Sequence, residues 1–227
     1  MSGHRATVVD RNFPEAFPLV TIDYPNQPAG SLRFRTPGTL SLRGQSEHLA
    51  QPLLALFCSE RCPGELIIKA CDVATLLRNA AVPVVSGFHS SVEKHCLRIL
   101  LRGTQPLIVG PARSIERFRI PADWRDPMRQ GRLSLISPFV AEQNRITAAL
   151  AAQRNEFLAA LARAVLVVYA DPGGLVEALA RKVLTWRKPV FAIENSHTNG
   201  LRSWGAESVD TDSVIETWRR HVMGRER

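Results

Sequence analysis

The chain has 227 residues, 45% of them apolar and 22% charged, the balance of a soluble globular protein able to bury a real core. No apolar run approaches the roughly 18 to 20 residues that cross a bilayer, and the N-terminus lacks the charged-then-apolar pattern of a signal peptide, so neither a membrane protein nor an exported one is expected and the default location is the cytoplasm. Net charge is +8, carried by 25 Arg against 4 Lys; the planar guanidinium fork matches phosphate in two-point contacts, which makes a polyanion a reasonable partner, although genomic base composition also favours Arg.

Residues 1 to 50 hold Pro14, Pro18, Pro25, Pro28 and Pro37 with Gly30, Gly38 and Gly44 and only short apolar pairs. They are expected to form an irregular lead-in, with one or two short strands, packed on a domain that runs from residue 51 to 227. From Gln51 onward strand and helix patterns alternate. Leu53 to Phe57 reads as a strand, Glu65 to Asn79 as a helix with Leu66, Ile67, Ala70, Val73, Ala74, Leu76 and Leu77 on one stripe, and Val82 to Val85 as the next strand. Val92 to Arg102 is helical, and Pro106 to Val109 is a strand. The sequence changes character from Pro111 to Gly131, where Arg113, Arg117, Arg119, Arg125 and Arg129 mix with Phe118 and Trp124. Leu133 to Ile136 reads as a strand, Ala141 to Leu161 as a long helix, Ala164 to Tyr169 as a strand, Gly174 to Trp186 as a helix, Val190 to Ile193 as the last parallel strand, and Thr211 to Val222 as the final helix. Right-handed crossovers through these helices would make a three-layer α/β/α sandwich around an extended, Rossmann-like, mostly parallel sheet.

Cys58, Cys62, Cys71 and Cys96 suit thiols better than disulfides in a cytosolic chain. The Cys58-x-x-x-Cys62 spacing with His89 and His95 nearby invites zinc, but no second close Cys/His pair completes four ligands, so no metal is assigned. Cys62 precedes a helix start, where a thiolate would be stabilised; a small turn residue is the plainer role.

Three strand ends carry the candidate site. Cys58-Ser59-Glu60-Arg61 leads into the first helix, whose free N–H groups beyond Pro63 would suit a phosphate. Ser86-Gly87-Phe88-His89-Ser90-Ser91 follows the next strand; Gly87 permits close backbone approach, and Ser90 or Ser91 caps the following helix, which would itself explain those serines. Asp171-Pro172-Gly173-Gly174 places two glycines at a third strand-to-helix turn, where a tight turn alone often needs glycine. In register, the three turns would collect N–H groups at the ligand edge of a doubly wound sheet. On the long helix, Phe157, Leu158 and Leu161 face the core, which leaves Arg154 and Asn155 on an edge near the glycine turns.

Taken together these segments resemble the DprA/Smf family of DNA-processing proteins. Tyr24-Pro25 and Pro37 to Gly44 are similar to the family lead-in, Cys58-Ser59-Glu60-Arg61 stands where the family has Gly-Ser-Arg, and Val84-Val85-Ser86-Gly87 matches Val-Val-Ser-Gly. Arg154-Asn155-Glu156-Phe157-Leu158-Ala159-Ala160-Leu161 resembles Arg-Asn-Arg-Ile-Ile-Ala-Gly-Leu, and Asn199-Gly200-Leu201 with Gly205-Ala206 is similar to the closing pattern. The departures are Cys58 for Gly, Glu156 for the second Arg, Pro172-Gly173-Gly174-Leu175 for Ser-Gly-Ser-Leu, and Ser91-Val92-Glu93 for Gly-Ile-Asp; with only about twenty residues after Gly205-Ala206, the winged-helix domain that often ends family members is not expected here.

The resemblance implies a Rossmann-like core that binds single-stranded DNA and delivers it to a RecA-type recombinase in natural transformation or recombination, often as a homodimer, without a cofactor and with no catalytic residue. Ser59, Ser86, Gly87, Gly173 and Gly174 would donate to the backbone, Arg61 and Arg154 with Asn155 would meet phosphates, and Phe88 or Trp124 would stack bases. The alternative is a nucleotide-binding sensor, or a phosphoribohydrolase of the lysine-decarboxylase-like group with the motif Pro-Gly-Gly-x-Gly-Thr-x-x-Glu. Pro172-Gly173-Gly174 fits its start, but Val176 and Glu177 replace the Gly-Thr and Ala180 the final Glu.

Overall fold

The computed structural model describes residues 19–23, 39–195 and 199–223. The Tyr24-Pro25 and Pro37-Gly38 parts of the lead-in motif lie outside the described residues. The strands are β1 (Val20–Asp23), β2 (Thr39–Arg43), β3 (Leu54–Cys58), β4 (Val84–Ser86), β5 (Leu107–Val109), β6 (Leu133–Ser137), β7 (Ala164–Tyr169), β8 (Val190–Ile193) and β9 (Glu207–Val209). The helices are α1 (Gly64–Asn79), α2 (Ser91–Leu100), α3 (Ala122–Arg129), α4 (Ala148–Leu161), α5 (Leu175–Thr185), α6 (Asn199–Ser203) and α7 (Val214–Met223).

The nine described strands form one sheet in the order β1-β2-β6-β5-β4-β3-β7-β8-β9. From β6 to β9 every pair is parallel, while β1 with β2 and β2 with β6 are antiparallel. Strand order therefore reverses at β3 and β7, which is where a doubly wound sheet opens its ligand crevice.

Burial on both faces explains the near-continuous apolar strands. Successive side chains point to opposite faces: Leu54, Leu56, Leu166 and Val168 pack in one core with α1, α2 and α7, while Ala55, Phe57, Val165 and Val167 pack in the other with α4 and α5. The molecule is thus an α/β three-layer sandwich. Beyond the helices, β2 extends the sheet from the segment set apart as a lead-in, its Leu42 in register with Ile136 of β6.

Several expected elements differ. Val190–Ile193 is not the last parallel strand, because β9 pairs with it through Phe191 and Glu207, Ala192 and Ser208, Ile193 and Val209. The mixed polarity of Glu207-Ser208-Val209 at a sheet edge hides it from an apolar-run search. The long helix begins at Ala148 and not Ala141, because the Thr147 hydroxyl accepts from the Leu150 N–H at 3.2 Å and caps it there. Two short helices, α3 and α6, arise where no helix is expected from the sequence; α3 is polar, with Pro127 inside it.

Candidate nucleic-acid interface

Parallel pairing brings the carboxyl ends of β3, β4, β5 and β7 to one edge of the sheet. The first and third candidate turns meet there directly. The Asp171 N–H donates to the Ser59 hydroxyl at 2.9 Å, and the Ser59 N–H donates to the Tyr169 carbonyl at 2.9 Å. Ser59 is buried and stitches β3 to β7, whereas Arg61 is exposed on the same turn. Gly173 takes a left-handed backbone with φ 72°, and Gly174 caps α5 while its N–H donates to the Asp171 carbonyl at 2.8 Å.

The β4 turn is organised around a buried carboxylate. Glu93 accepts from the Cys58 N–H at 3.0 Å through Oε1, and from the His89 N–H at 2.7 Å and the Ser90 N–H at 3.4 Å through Oε2. Its own N–H donates to the Ser90 hydroxyl at 3.2 Å, which completes a capping box at the start of α2. Ser86 is fully buried and its hydroxyl accepts from the Phe88 N–H at 3.2 Å. Phe88 is held with φ 45°, a conformation uncommon for a residue with a side chain, and it turns the His89 and Ser90 N–H groups onto Glu93.

Helix N-termini favour negative charge. At two of the three turns that charge comes from the chain itself: Glu93 at α2, and Glu177 at α5, whose carboxylate accepts from the Gly173 N–H. At α1 the N-cap is Pro63, with no side-chain cap. Glu177, which replaces part of the Gly-Thr of the phosphoribohydrolase motif, is committed to capping and lies 3.9 Å from Arg181.

Arg154 and Asn155 do not sit at a solvent edge as the helical stripe suggested. Their exposures are 4% and 7%. Arg154 reaches from α4 over the end of the sheet, donating to the Gly110 carbonyl at 2.9 Å and to the Asn155 side-chain oxygen at 2.7 Å. Gly87 makes room for it, since a Cβ there would stand 1.5 Å from a guanidinium nitrogen. Burial pushes the Arg154 guanidinium below its ordinary value, with Glu93 pulling the other way; burial likewise pushes the Glu93 carboxyl up, against the Arg154 charge and the N–H donors. The two opposite charges offset one another beneath the site. Glu156 faces outward and pairs with Lys182 at 2.7 Å.

Above this pair a groove of about 320 Å³ opens beyond β4 and β5. Gly87 and Arg154 lie at its base, Lys94, Leu97, Arg98 and Leu101 of the α2 segment form one wall, and Phe118, Asp123 and Trp124 form the other. The Phe118 and Trp124 rings stack with centroids 6.0 Å apart and planes 16° from parallel, and the Arg113 guanidinium lies 5.1 Å over Phe118. Trp124 is half-buried; Phe88 also lines the groove but is only 4% exposed and packs in the core. Lys94 and Arg98 went unnoticed in the sequence; their signal is a four-residue basic spacing on the outer face of an amphipathic helix.

Burial pushes the Cys58 thiol up and the Cys96 thiol up to about 12. At Cys62 burial also raises the thiol, with the hydrogen bond from Cys58 pulling the other way. Among the described residues no group of three or more His, Cys, Asp or Glu is arranged to hold a metal ion, and no helix is long and apolar enough to cross a membrane.

A doubly wound, mostly parallel sheet with a basic and aromatic groove at its carboxyl edge defines a Rossmann-like α/β protein. Within that class, the chain belongs to the DNA recombination-mediator protein A family, whose model matches residues 17–218. The DNA processing protein A of Helicobacter pylori, described for its single-stranded DNA binding mode, superposes with a TM-score of 0.70 at 20% identity, over 87% of this chain and 94% of that one. Its Streptococcus pneumoniae counterpart gives 0.72 at 19% identity, over 89% and 74%. A molybdenum cofactor binding protein from Rippkaea orientalis shares the fold more distantly, with a TM-score of 0.55 at 11% identity over 76% and 98%. No curated protein is similar enough to count as a match.

Proposed function

We propose that this chain binds single-stranded DNA in the groove beyond β4 and β5, without base specificity and without chemistry, as a DNA-processing protein acting in DNA uptake or recombination. The observation that carries this reading is the groove itself: cations on one wall, a stacked aromatic pair on the other, and a base where the buried Arg154 is already offset by Glu93. Such a groove suits a flexible strand whose backbone follows the cations while its bases stack on the rings. Family membership supports the same function, and the Helicobacter pylori relative is described as a single-strand binder.

In this reading Ser59, Ser86, Gly87, Asn155, Gly173 and Gly174 shape the edge, Arg154 sets its base, and Arg61 adds an exposed cation beside it. The protein acts in the cytoplasm, hands its strand to a RecA-type recombinase, and works as a homodimer. Strand transfer to the recombinase and mass by light scattering test those last two points.

The central test is retardation of single-stranded oligonucleotides in a gel, with affinity falling steeply between low and moderate salt. Trp124→Ala is expected to weaken binding by about 1 to 3 kcal/mol through loss of one stacking surface. Tight binding of a mononucleotide with no oligonucleotide binding would overturn the reading, and release of a free base would favour an enzyme.

A further inference from the structure

We propose that a strand held in the groove leaves it along the outer face of α2, with Lys94, Arg98 and Arg102 meeting successive phosphates and the bases turned toward Phe118 and Trp124. The inference rests on the single-strand reading of the groove and adds to it a direction and a polarity of contact.

Lys94, Arg98 and Leu101 line the groove, and Arg102 follows Leu101 directly, one turn past Arg98. Four-residue spacing puts the three on one face, each about 6 Å further along the axis, a step that successive phosphates of an extended strand can match. The α2 segment ends in a right-handed helical C-cap at Leu101, and the Arg102 N–H donates to the Ile99 carbonyl at 3.2 Å, a tightened i to i−3 turn that carries Arg102 on directly from the helix end. All three side chains are exposed. Among the described residues none of them enters an ion pair.

The only acid on α2 is Glu93, and it is buried on the other side. Three like charges on one helix face repel one another, and a row of phosphates relieves that repulsion. The opposite wall is mixed in sign: Asp123 lines the groove, and Arg129 is bonded to Asp126 at 2.6 Å. A polyanion therefore finds an uninterrupted cationic ladder on α2 and aromatic faces opposite.

The test measures fluorescence anisotropy of labelled oligothymidylates of about 4 and about 12 nucleotides across a range of salt, for the wild type, Arg102→Gln and Arg125→Gln. Arg125 is an exposed arginine on α3 and controls for general charge. The expected result is that Arg102→Gln lowers the salt slope for the long oligonucleotide by about 0.7, with a larger loss of affinity for the long than for the short one and a larger loss than Arg125→Gln causes. Equal losses at both lengths, equal losses for the two variants, or no loss would overturn the α2 path while leaving the groove intact. A wild type that binds neither oligonucleotide overturns the groove and the path together.

Discussion

At Gly87 a Cβ would stand 1.5 Å from Arg154 Nη1 and 2.0 Å from Cζ, so the absence of a side chain is what lets the guanidinium lie across the end of β4. The contact is with a buried cation bonded to Gly110 and Asn155, which has nowhere cheap to go. Gly87→Ala is therefore expected to cost about 1 to 3 kcal/mol by overpacking, read as a lowered midpoint in thermal or urea unfolding. An unchanged midpoint would mean that Arg154 has another place to rest. The requirement for glycine at this turn was visible in the sequence, but its reason was not. Glycine beside a strand end signals close approach of something, and only the packing of α4 shows that the something is the chain's own arginine.

Among the elements, α2 does the most to build the site. Its capping box fixes the helix start, Glu93 on its inner face gathers three N–H groups from two turns, and its outer face supplies Lys94 and Arg98. Ser90→Ala removes half of the box and is expected to cost about 1 kcal/mol, measured by denaturant titration; it should also raise amide exchange in the first turn of α2. A loss well above that would mean Glu93 has moved and released its other donors. The inner strands were legible because apolar runs bounded by turn residues have few other solutions, and β7 and β8 keep the bounds expected of them. Element ends set by a single side chain were less so, as at Thr147. Edge strand β9 was missed because half-exposed strands need no apolar run.

For the whole molecule, closure depends on contacts between distant segments. His48, in a short 3-10 turn after β2, is 7% exposed, and its Nδ1 lies 2.9 Å from the Ser134 hydroxyl on β6. Burial pushes the imidazole below its ordinary value of 6.5, while a backbone hydrogen bond to Gly131 and the Glu47 charge pull the other way. Below that value the unfolded chain takes up a proton that the native one resists, so this contribution is whole above pH 6.5 and drains as pH falls. Thermal midpoints should drop as the pH falls below 6.5, and His48→Gln should flatten that dependence. An identical slope in the variant would show that another group governs it.

Local chemistry was enough to define the layered α/β class, the three strand-end turns and the excess of arginine, because each rests on periodicity, turn propensity or composition. Tertiary packing alone decided which charges reach solvent. Arg154 became a buried strut, Glu93 and Glu177 took the helix-end donors, and Lys94, Arg98 and the Phe118–Trp124 pair were brought to one groove from segments 20 to 30 residues apart in the chain. Solvent exposure and charge pairing depend on neighbours from other elements, and no single stretch of sequence contains them.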